Sequence, residues 1–143
     1  MRPTYLLVAA LLGSCPAPVY GCAAAIPIVT AVASVISEIS SWVSAADAQA
    51  QSTGALPPNY AAALSALRVA IAHLSDAAQQ GPAEYAKVVA TFERLYADFT
   101  AITAPLGVRV APAQGRMGAA PPATVQVPSA GELGARLRAE GPR

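Results

Sequence analysis

Histidine occurs once in this chain, tryptophan once and cysteine twice, so the side chains that bind transition metals or act as nucleophile and base are scarce. A zinc site would have to combine His73 with Cys15 and Cys22, and a seven-residue cysteine spacing beside one histidine is not a zinc pattern. Charged residues make up 12% of the chain, about half the share usual in a soluble globular domain. A net charge of +1 excludes a broad basic field for nucleic acid. There is no phosphate-binding glycine loop, no HExxH and no carboxylate cluster at metal spacing. The reading is of a non-enzymatic protein that needs no cofactor.

What is abundant is alanine, the best intrinsic helix former and a poor strand former, so the composition favours closely packed helices over a sheet. The 143 residues make room for one domain. Charge is unevenly placed. Between Ala23 and Ala104 stand six acids, Glu38, Asp47, Asp76, Glu84, Glu93 and Asp98, against three bases, Arg68, Lys87 and Arg94. Beyond Pro105 five arginines, Arg109, Arg116, Arg136, Arg138 and Arg143, face Glu132 and Glu140.

The first segment reads as an address. Arg2 precedes an apolar run from Tyr5 to Leu12, matching the charged and hydrophobic regions of a secretory signal. The run is too short to cross a bilayer, which takes about 20 apolar residues as a helix. Ala23, Ala24 and Ala25 supply an ordinary A-x-A cleavage site. Cys15 and Cys22 could instead close a small disulfide loop around Pro16 and Pro18 in an exported protein.

Two four-residue stretches place an apolar residue three positions before a cysteine. One is Leu12, Gly13, Ser14 and Cys15, directly against the apolar run; the other is Val19, Tyr20, Gly21 and Cys22, which leaves a signal of more usual length. In this the first 22 residues resemble bacterial or phage-encoded lipoprotein precursors. The resemblance implies export, lipidation at Cys22 with Cys15 as the alternative, and a membrane partner held through acyl chains such as palmitate in the bacterial cell envelope, on its periplasmic or outer-membrane face.

Beyond this segment the pattern is of three helices, over about 28–50, 59–80 and 82–103. The first has an apolar stripe of Ile28, Val32, Val35, Ile39, Trp42 and Ala46, flanked by Val29, Ile36 and Val43, and a face of Thr30, Ser34, Ser37, Glu38, Ser41, Ser44 and Asp47. Gly54, Pro57 and Pro58 punctuate a loop, after which Asn59 is placed to cap the second helix. Its stripe is Tyr60, Leu64, Leu67, Ile71, Leu74 and Ala78, and Gly81 ends it. Pro82 suits the first turn of a third helix, with Glu84 near its positive end and a stripe of Tyr85, Val88, Val89, Phe92, Leu95, Tyr96, Phe99 and Ile102. Matched lengths and short connections predict an all-α, antiparallel three-helix bundle. Burial of some fifteen large side chains makes such a bundle marginal, so a protein partner or self-association is expected. A competing arrangement inserts the charge-free stretch 23–37 into the membrane.

The remaining residues, 105–143, are rich in proline and glycine without sustained periodicity, which predicts a disordered tail. Val108–Val110 and Thr124–Val127 offer only brief strands. Ser129 and Glu132 fit a capping box, and Leu133 with Leu137 makes one apolar face flanked by Arg136 and Arg138 over 129–140. That face reads either as a frayed helix or as a docking peptide for an acidic partner. His73 falls on the flank of the second helix, where a surface position is expected, and Glu38 is expected to be solvated beside Ser37 and Ser41. Trp42 belongs with the core aromatics by its stripe, or with a contact surface. The expectation is a small exported lipoprotein acting as a helical interaction module; the alternatives are a membrane-active lysis or pore-type protein and a structural subunit of an envelope or phage assembly.

Overall fold

The computed structural model describes residues 22–111 and 124–143, with the backbone alone for 22–27. The chain is mostly helical: α1 (Cys22–Ser52), α2 (Tyr60–Gln80), α3 (Pro82–Thr103) and α4 (Ala130–Glu140), with β1 (Val108–Val110) and β2 (Val125–Val127) as the strands among the described residues.

In α1 the buried line is Val32, Val35, Ile39, Val43, Ala46 and Ala50, with steps of three and four that keep it on one face. Hydroxyls help to end the helix: Ser52 Oγ donates to the Gln49 carbonyl at 2.6 Å and Thr53 Oγ1 to that of Ala50 at 2.7 Å. Gly54 then reverses the chain at φ +71°, a left-handed conformation that glycine adopts without a Cβ clash. The expected Asn59 cap is not made by its side chain. Asn59 is itself in the right-handed helical region, and its backbone carbonyl accepts from Ala63 N at 3.0 Å while Tyr60 N donates to Pro57 O.

A single residue, Gly81 at φ +119°, joins α2 to α3, and Pro82 opens α3 where its missing N–H costs nothing. So short a link folds α3 back along α2. The rings of Tyr60 at the start of α2 and Phe99 near the end of α3 lie 6.0 Å apart. Tyr60 also meets Asp47 near the end of α1, so α1 and α2 are antiparallel too. The core is continuous, with Leu67, Leu74, Val89, Phe92 and Ile39 fully buried.

The expectation of three helices and a disordered tail is corrected over the described parts of 105–143. After a 3₁₀ turn at Ala104–Leu106 and Gly107, β1 pairs in parallel with β2, Val108 opposite Val125 and Val110 opposite Val127. Val108 and Val127 are each 1% exposed and join the helical core. The Ser129 hydroxyl accepts from Glu132 N at 3.2 Å and starts α4. α4 then lies antiparallel to both α1 and α3, closing the side of the bundle opposite α2. Leu133 and Leu137 are wholly buried there, about 1.5 to 3 kcal/mol each, which an eleven-residue helix could not recover alone in water. The intervening part of the tail, 112–123, lies outside the described residues.

Candidate functional site

Of the lipidation candidates, Cys15 and the whole apolar run lie outside the described residues, while Cys22 is the first residue of α1. α1 has 31 residues against 21 and 22 in α2 and α3, an excess of about ten residues or 15 Å of helix. The described side chains of α1 begin at Ile28, which packs against the core, and Val32 is the first of them to be buried, so the part of α1 ahead of Ile28 lies toward Cys22. The last turn of α2, the first turn of α3 and the end of α4 share that end of the bundle. Loop 53–59 and the strand pair occupy the other, where Leu56 and Val110 are among the exposed large apolar side chains.

Along α1 and α2 runs a groove of about 350 Å³ floored by Ile36, Val43, Ile71 and Ala72. It continues past Arg68 into a shallower one of about 640 Å³ with Leu56, Leu64 and Val69. Between them stands the polar network of the bundle. Asp47 accepts from Tyr60 Oη at 2.5 Å, Gln51 Nε2 at 2.8 Å and Arg68 Nη2 at 3.1 Å. Partial burial raises the Asp47 pKa, but the Tyr60 and Gln51 hydrogen bonds and the Arg68 charge outweigh it and hold the carboxyl below its ordinary value. Tyr60 is driven the other way, first by burial and then by the adjoining carboxylate. A proton held firmly on Tyr60 and kept off Asp47 makes this a structural clasp between two helices; it offers no base poised near neutrality.

A second clasp fixes α4. Arg138 binds Glu93 through both guanidinium nitrogens at 2.9 and 2.5 Å, and Arg136 Nη2 reaches Glu38 at 2.7 Å. The Tyr85 hydroxyl donates to the Leu137 carbonyl at 2.9 Å, and burial followed by the Glu140 charge pushes its pKa up to about 12. Tyr96 is raised as well, by burial and then by Glu132, and its buried hydroxyl has no hydrogen-bond partner among the described residues.

The structure thus brings Leu133, Arg136, Leu137 and Arg138 together and sets them on the chain's own α1 and α3. No local spacing links the acids that receive the arginines, Glu38 and Glu93, because they lie on different helices. Glu38 is held by Arg136 where a merely solvated side chain was expected. Trp42 does not belong to the buried stripe: it is 37% exposed, and Val43 takes the interior position because the line advances by four from Val35 to Ile39 and by four again. His73 is exposed beside Asp76, Gln80 and Glu84. Among the described residues no three histidine, cysteine or carboxylate side chains are grouped to hold a metal ion.

Ile28–Ser52 and Tyr60–Gln80 are long and apolar enough to cross a bilayer by length and composition, a test that core helices of soluble bundles and signal sequences also pass. Comparison with protein-family models, curated proteins and solved structures finds no match to this chain.

Proposed function

We propose that the protein is a small exported lipoprotein of the bacterial cell envelope, anchored by acyl chains on Cys22, whose helical body works as a non-enzymatic interaction module. The observation that carries this reading is the order of the first 22 residues: a positive charge, an eight-residue apolar run, then a lipobox-like stretch ending in cysteine. The helical body suits such an anchor. α1 begins at Cys22, six residues or about 9 Å of helix ahead of Ile28, the first described side chain packed against the core, so a lipid there would sit at that end of the bundle. Loop 53–59 and the strand pair would then face away from the membrane. One acyl chain binds membrane only marginally, so the anchor requires several.

The test is labelling with a radioactive fatty acid in cells expressing the chain, with Cys15 and Cys22 replaced singly. Label that disappears in Cys22→Ser and persists in Cys15→Ser supports the reading; an unlabelled parent removes it. A second reading, favoured by the hydropathy of α1 and α2, is a membrane-active protein that inserts this hairpin. Carbonate extraction of the variant lacking both cysteines separates the two, because an inserted hairpin stays with the membrane and a lipid-anchored body is released.

A further inference from the structure

We infer that the groove between α1 and α3 is a helix-binding site whose alternative occupant is the α4 of a second copy of this chain, so that two copies trade residues 124–143 and close each other's bundles. α4 is itself the evidence for what the groove accepts. It seats Leu133 and Leu137 at zero exposure, and Glu38 and Glu93 stand on its two walls to take Arg136 and Arg138. The fit is close. A Cβ added at Gly134 would fall on the Glu93 carboxylate, and one at Gly141 on the ring of Tyr85.

These contacts, with the β1–β2 pairing, run between one terminal segment and the body of the bundle, so a second copy supplies every one of them unchanged. That is the condition under which exchange of an identical element makes a dimer at low cost. An undocked α4 is too short to persist alone, and the wall it leaves carries buried aromatic residues, so two open copies are complementary. The helix attached to its own body has an effective concentration in the millimolar range, so exchange requires crowding. This names a partner for the interaction module proposed above and rests on that reading only for the crowding a membrane surface provides.

The experiment uses full-length chains and needs no lipid. One carries Glu38→Arg and Glu93→Arg, the other Arg136→Glu and Arg138→Glu. Each alone sets like charges against its own α4 and against that of its twin; a mixed pair that trades segments has opposite charges in both grooves. Native mass spectrometry of the mixture should show a one-to-one heterodimer in at least tenfold excess over either homodimer. A chain with all four reversals should return to wild-type behaviour. Circular dichroism checks that each variant keeps its helices; should a double reversal melt them, Glu93→Arg and Arg138→Glu replace the pairs with the same readings. A mixture that stays monomeric, or one that associates in statistical proportion, overturns the proposal.

Discussion

At the scale of single residues, Asp47 bears more of the helix contact than its place on a nominally polar face suggests. Three donors converge on one carboxylate from α1 and α2, and its pKa is lowered although burial works against it. A carboxyl held below its ordinary value stabilises the fold above about pH 4 and loses that contribution as the pH falls through the lowered value. Urea unfolding between pH 7 and pH 3 should therefore show a declining midpoint, and Asp47→Asn should flatten that decline. Tyr60→Phe keeps the ring against Phe99 and removes one donor, for an expected loss of about 1 kcal/mol at neutral pH. Tyr85, pushed up to about 12, acts with the opposite sign: its contribution is complete below about pH 10 and fades as the pH rises toward the folded value. Tyrosinate absorbance during alkaline titration should show Tyr85 ionising together with unfolding, and Tyr85→Phe should remove that component.

At the scale of elements, the stripes of α2 and α3 were legible because each is set by local spacing: Tyr60, Leu64, Leu67, Ile71, Leu74 and Ala78 are all buried, as are Tyr85, Val89, Phe92, Tyr96 and Phe99, while Val88, Leu95 and Ile102 at the edge of the α3 stripe are half-buried against the core. Trp42 shows the limit of that reading, since steps of three and four are both helical and only the neighbours decide which line faces inward. The order of α4 was not legible. Its capping signal and its two leucines are local, but what holds them is not: the acid for Arg136 is 98 residues away and the hydroxyl for the Leu137 carbonyl 52. A glycine inside a short helix likewise looks like a breaker until the proximity of Glu93 explains Gly134. Leu133→Ala should cost about 2 to 4 kcal/mol in denaturant unfolding. Gly134→Val should release α4 while leaving α2 and α3 protected, read as fast hydrogen exchange confined to residues 124–143. Slow exchange there in the variant would mean that the α3–α4 approach tolerates a side chain.

At the scale of the whole molecule, the helices form a ring in which α2 and α4 each bridge α1 and α3, with antiparallel neighbours throughout. Short links at 53–59 and Gly81 dictate the first three positions, and the fourth is set by apolar burial and two ion pairs. Exposed pairs of this kind are worth under about 1 kcal/mol each, so Leu133 and Leu137 hold α4 in place and the arginines select its register. The bundle also has two distinct ends, one holding the start of α1 at Cys22 and the other the strand pair. That polarity gives the anchored reading its geometry: lipid at one end, contact surfaces along the sides and at the far end. Intact-mass analysis of the protein recovered from the membrane fraction of an expressing bacterium reads the cleavage site and the modification in one measurement. A lipid-anchored protein yields a mature chain that begins at Cys22 and carries the added mass of acyl chains; a chain cleaved after Ala25 with no added mass, or one uncleaved and unmodified, overturns the anchored reading.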